Sequence, residues 1–174
     1  ILNALDTMAS VGYLDRQIAA LLTEKLQHKD PAIRTICVRG LSYYTDQNSA
    51  LRVLDILKND RDEEVQLAAV RSLHRVAHPG AVPTMAGLLR AGNLSPQMEE
   101  AGIRAIGKHP DGLRGVANVL PFIGSNREEL RTAAKDSLRI LYAENNQTVS
   151  AALARGAATA GDELTLKETS ALMA

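Results

Sequence analysis

Residues Asp62–Leu89 read DEEVQLAAVRSLHRVAHPGAVPTMAGLL. Val65, Ala68, Ala69 and Leu73 stand at i, i+3, i+4 and i+8, the spacing that lines one face of an α-helix. Asp62, Glu63 and Glu64 precede that face and complement the positive end of a helix dipole, so they mark its start. After the break at HPG, the run AVPTMAGLLRAG from Ala81 is apolar again and reads as another helix. A helix pair of this size cannot bury its own apolar side. Stacked on copies of itself, it can.

The chain contains such copies. DPAIRTICVRGLSYY from Asp30, PQMEEAGIRAIGK from Pro96 and REELRTAAKDSLRIL from Arg127 align with the run from Asp62. Their first apolar residues, Ile33, Val65, Met98 and Leu130, follow one another at intervals of 32, 33 and 32 residues. Three residues on stand Ile36, Ala68, Ala101 and Ala133, and one further Cys37, Ala69, Gly102 and Ala134. At the eighth offset come Leu41, Leu73, Ile106 and Leu138. The small middle positions let a neighbouring helix approach closely. Between these segments lie the partner helices of each hairpin: RQIAALLTEKLQH from Arg16, NSALRVLDILKN from Asn48, the run from Ala81, and DGLRGVANVLPFIG from Asp111. Five of the prolines fall at edges or first turns, where a missing N–H is tolerated, but Pro121 falls late and predicts a kink or an early helix end.

The expected fold is therefore all-α: an α-solenoid, or superhelix, of about four to five stacked antiparallel helix hairpins. Repeats are expected at about 10–45, 46–77, 78–109 and 110–144. Residues 1–9, ILNALDTMA, read as the end of a preceding repeat helix, and the chain as part of a longer protein. The period is lost from Asn145, and 145–174 reads as a C-terminal cap or linker helices, with Thr165 and Glu168 at capping-box spacing.

The run VQLAAVRSL, then HPGAVP, then a leucine pair resembles HEAT repeats, and among them the short bacterial type called phycobilisome-lyase-like. The resemblance covers roughly residues 16–142. It implies an α-solenoid that binds partners along its second helices. It also implies that Arg34 and Arg131, which hold the motif's arginine position, bridge neighbouring repeats. Gln66 and Glu99 replace that arginine in the middle copies, so those junctions are expected to be held mostly by packing. The third copy has a longer turn, AGNLSPQ, and the fourth ends in LYAENN.

Composition narrows the function. Lys and Arg total 20 and Asp and Glu total 20, so no net charge attracts nucleic acid or anionic lipid, and nucleic-acid binding is disfavoured. No uncharged run is long enough for a membrane span. No acid/base or nucleophile constellation stands out, and no cofactor is expected. The leading expectation is a non-catalytic, cytoplasmic scaffold that binds another protein or another domain of its own chain. The alternatives are a phycobilin lyase-like accessory, implied by the resemblance alone, and a HEAT-like nucleic-acid binder.

Arg39, Arg71 and Arg104 share one offset on successive second helices, where the fourth copy has Asp136. They read as a stripe that grips acidic groups of a partner, or as a solvated face of paired charges. With Tyr43, His74 and Arg75 they are the candidate partner-binding residues. His74 and His78, at i and i+4, are spaced for a metal on a helical face but lack a third ligand, and no metal is expected. Cys37, the lone cysteine, aligns with Ala and Gly and reads as small, buried and inert. Tyr43, Tyr44 and Tyr142 read either as anchors at a binding edge or as plugs between repeats.

Overall fold

A computed structural model describes residues 10–159 together with Ala4 and Thr7. Most of 1–9, and the Thr165–Glu168 pair with the rest of the tail from residue 160, lie outside the described residues. All regular structure among the described residues is helical, in two compact units, Ile1–Ala81 and Val82–Ala174.

The first unit holds α1 (Arg16–Lys25), α2 (Pro31–Leu41), α3 (Gln47–Asn59) and α4 (Glu63–Ser72). Each begins at an aspartate, Asp15, Asp30, Asp46 or Asp62, whose carboxylate accepts backbone N–H groups of the first turn. Such a cap is worth about 1 kcal/mol. Gly12, at φ +88°, turns the chain into α1 through backbone that other residues rarely adopt. α1 pairs with α2 and α3 with α4, while α2 lies on α4 and α1 on α3. Like lies on like, which is repeat stacking. A Cβ on Gly40 would stand 2.8 Å from Leu22 Cδ1, so α1 meets α2 where that repeat has no side chain.

The second unit holds the rest of α5 (Ala81–Ala91), then α6 (Pro96–Lys108), the short α7 (Val116–Val119), α8 (Glu128–Glu144) and α9 (Asn146–Thr159). α7 is flanked by 3₁₀ turns at Gly112–Gly115 and Leu120–Gly124. Pro121 sits at the start of the second turn, and the α-helix stops just ahead of it, because proline neither donates a backbone hydrogen bond nor lets the preceding turn close. α6 lies on α8, and α9 packs on α8 and α7, burying Val149, Ala152 and Leu153. In all four copies the fourth-offset position is buried (Cys37, Ala69, Gly102, Ala134), as is the eighth (Leu41, Leu73, Ile106, Leu138).

The motif's arginine position makes a backbone clasp. Arg34 Nη1 donates to the carbonyl of His28 (2.8 Å), Gln66 Nε2 to that of Asp60 (2.9 Å) and Arg131 Nη1 to that of Ser125 (2.7 Å), each six residues back. Arg34 also forms a two-pronged pair with Asp60 of the next repeat, both bonds at 2.9 Å. The expectation that Glu99 leaves its junction to packing is corrected. Glu99 reverses the polarity and pairs with Arg127 of the following repeat. An acceptor here needs a cation across the junction, and Arg127 supplies it.

Candidate partner-binding surface

α2 and α4 end side by side in the first unit, and most of the sequence-predicted residues meet at those ends. The last turn of α4 tightens into a 3₁₀ turn at Leu73–Arg75, closed by Val76 N–H donating to the Leu73 carbonyl at 2.9 Å. The turn brings Arg75 across to the preceding repeat, where its guanidinium lies over the Tyr43 ring, 4.4 Å from the centroid. Nε donates to Ser42 Oγ and Nη2 to Ser72 Oγ, both at 3.1 Å, and both serines are almost fully buried. Nη1 stands 3.2 Å from His74 Nε2, and His74 Nδ1 stands 3.1 Å from the Arg71 carbonyl. A carbonyl only accepts and a guanidinium only donates, so these contacts call for a neutral His74 with its proton on Nδ1.

Arg39 and Arg71 are exposed at the same offset of α2 and α4. Helices packed like these stand about 8–10 Å apart, which sets the spacing of the two side chains. Arg104 has different company in the second unit. It pairs with Glu100 at 3.1 Å and with Asp136, the residue at its own offset in the next repeat, at 3.2 Å. Asp136 also faces Arg139 at 3.7 Å. At this junction the stripe is a solvated charge network of the kind worth about 0–1 kcal/mol.

The tyrosines divide. Tyr44 is buried and donates to the Asp15 carbonyl at 3.0 Å, which makes it a plug between α1 and α2. Tyr43 carries Arg75, and Tyr142 is exposed on α8. The metal reading of His74 and His78 meets a geometric obstacle, because α4 gives way to the 3₁₀ turn before His78. His78 Nδ1 instead accepts the Gly80 N–H at 2.9 Å. His28 and His109 do the same for Asp30 and Asp111, so three histidines close turns with the same bond from the N–H two residues on, one within a hairpin and two between hairpins. The sequence reading missed Ser42 and Ser72, which fix Arg75. Their offsets differ between the two repeats, so no alignment column marks them.

Cys37 is fully buried, and burial pushes its thiol up to about 11, with Lys25 opposing the rise. Only the thiolate reacts. Iodoacetamide at pH 8 is therefore expected to leave the folded chain unmodified for hours and to alkylate it within minutes in urea. Equal rates in both, read by mass spectrometry, would place Cys37 at the surface.

These hairpins, each lying on the next within its unit, define an α-solenoid repeat protein. The family model for HEAT repeats matches residues 50–155, more than half of the chain, and the chain belongs to that family. No curated protein sequence matches it. Among solved structures it is similar to a chain of the complex of CpcE and CpcF of phycocyanin lyase from Nostoc sp. PCC7120, with a TM-score of 0.60, 16% identity, and 92% of this chain and 100% of that one covered. It is also similar to a designed armadillo repeat protein in complex with the peptide (KR)4, with a TM-score of 0.58, 14% identity, and 99% and 90% covered. An engineered protein matches at a TM-score of 0.57 and 17% identity, over 99% of this chain and 87% of that one. At such identities the likeness is one of fold. No helix among the described residues is long and apolar enough to cross a membrane.

Proposed function

We propose that this chain is a non-catalytic scaffold that binds another protein through the ends of α2 and α4, with Arg39, Tyr43, Arg71, His74 and Arg75 as the contact residues. The observation that carries the reading is the Arg75–Tyr43 stack. It spends an arginine and an aromatic ring, two of the side chains that dominate protein interfaces, on a rigid, half-buried patch between repeats. Arg104 is left out, since Glu100 and Asp136 occupy it. The fold agrees, because α-solenoids present stacked helices as extended binding surfaces.

The test is capture on immobilised wild-type chain against Arg71→Glu. Arg71 is exposed and makes no side-chain bond among the described residues, so its reversal is expected to leave the melting temperature within about 1 °C while abolishing retention of the partner. A large fall in melting temperature would make Arg71 structural. Unchanged retention would move the interface elsewhere. The second reading, a lyase-like accessory, rests on the fold of the phycocyanin lyase chain. It predicts a covalent bilin adduct when the chain is mixed with a bilin and an acceptor, and no adduct would remove it.

A further inference from the structure

The surface just described also specifies what it receives. Arg34 meets both oxygens of Asp60, Arg104 meets Glu100 and Asp136, and Arg127 meets Glu99. Arg75 differs. It is half-buried, yet its hydrogen-bond partners, Ser42, Ser72 and His74, are all neutral. A guanidinium carries five N–H donors, and these three contacts leave two unspent.

Among the described residues no carboxylate pairs with it. No Asp or Glu occurs from Ala32 to Thr45 or from Val65 to His78, the stretches that build both helix ends. Asp15 and Asp46 start the helices that neighbour these ends; their carboxylates accept from the N–H groups of Gln17, Ile18 and Ser49 and from the Ser49 hydroxyl, and neither bonds Arg75. The C-termini of α2 and α4 contribute partial negative charge of about −0.5 each. Against them stand the full charges of Arg75 and of Arg71, four residues before it. Among the described residues no carboxylate bonds Arg75 or Arg71, and the Arg75 rotamer is already fixed by a ring and three hydrogen bonds.

We infer that Arg75, held by Tyr43, Ser42 and Ser72 and flanked by Arg71, is a preorganised receptor for anionic side chains, carboxylate or phosphate, on a peptide segment of the partner. The inference rests on the scaffold reading above and deepens it. Preorganisation removes the entropy that a free arginine loses on binding, and a planar fork suits the paired oxygens of either anion. Lysine offers neither the fork nor the stack.

The experiment is fluorescence anisotropy on the full chain with three fluorescein-labelled peptides, identical except for four positions that carry Asp, Asn or phosphoserine. The Asp and phosphoserine peptides are expected to bind and the Asn peptide is not. Arg75→Lys and Arg71→Ala are each expected to raise the Kd at least five-fold, and raising the salt from 50 to 200 mM is expected to weaken binding further. Whichever charged peptide binds more tightly identifies the source of the anion. In an NMR titration with inorganic phosphate, the Nε–H signal of Arg75 is expected to move and that of Arg34 to stay. Asn and Asp peptides bound equally well would overturn the anion receptor while leaving the scaffold reading intact. So would Asp-peptide binding untouched by both substitutions, an unmoved Arg75 signal, or no binding of either charged peptide. Loss of the scaffold reading shows separately, as partner retention indifferent to Arg71→Glu.

Discussion

Replacing Arg34 with methionine is expected to cost about 3–5 kcal/mol, the largest loss from any single substitution considered. Arg34 and Asp60 side chains are each 5% exposed. Arg34 satisfies both carboxylate oxygens and the carbonyls of His28 and Lys29. Its removal strands a buried carboxylate that keeps only the Asp62 N–H, at 3.0 Å, and strands the His28 carbonyl, while the Lys29 carbonyl keeps Arg61 Nη2 at 3.3 Å. The cost is that of uncompensated burial, not the net worth of the pair. Arg34→Met with Asp60→Leu is therefore expected to recover most of the loss, and a double-mutant cycle in urea measures the coupling. Additive single losses would mean that the two side chains act independently.

The same pair sets an acid limit. Burial pushes the Asp60 carboxyl up, but the hydrogen bond from Arg34, the Asp62 N–H and the charges of Arg34 and Arg61 outweigh it and hold the carboxyl below its usual value. A group depressed by folding contributes stability above its unfolded value, near pH 4, and loses it as pH falls through the lower folded value. The stability gap between wild type and Asp60→Asn is expected to be flat from pH 7 to 5 and to shrink below about pH 4. A gap that widened in acid would reverse the sign and remove Arg34 as the cause.

How much of this was legible in the sequence depends on whether a feature repeats. The interval of 32 or 33 residues put the buried face at Ala69 and Leu73 and their equivalents, because stacking imposes the same packing on every copy, and at Val65, Met98 and Leu130. Ile33, at the first offset of the first copy, is only half-buried. The ion pairs are legible only in part. Arg34 holds the motif's arginine offset, which only Arg131 shares, and its partner Asp60 stands at a different place in its turn from Arg127, so no common offset marks the two pairs. A swap of polarity such as Glu99 with Arg127 looks, in one column, like loss of the motif. The site was the least legible. Arg39, Arg71 and Arg104 share an offset, yet Arg104 is paired with Asp136 because the next copy changed sign there. Tyr43 and Arg75 share the tenth offset of successive repeats, but the residues there are unlike, and they meet because α4 ends in a 3₁₀ turn.

Close approach between helices supports the last prediction, a contrast between two glycines of α6. A Cβ built on Gly107 would stand 2.6 Å from Ser137 Cα and closer still to Ser137 Cβ. Ser137 cannot move aside, because its Oγ donates to the Ile103 carbonyl at 3.0 Å and ties α8 to α6. Gly107→Ala must push the two backbones apart, an overpacking cost of about 3 kcal/mol. The gain from replacing glycine inside a helix is about 1 kcal/mol, so the net loss is about 2. At Gly102 the new Cβ would meet the Sδ of Met85 at 3.0 Å and its Cε closer, but that is the free end of a flexible thioether. Gly102→Ala is expected to stay within about 1 kcal/mol of wild type, since the helix gain offsets the shift of Met85. Urea denaturation of the two variants side by side decides the matter. Equal losses would mean that α6 and α8 separate at little cost, and that backbone contact between stacked helices does not set their spacing.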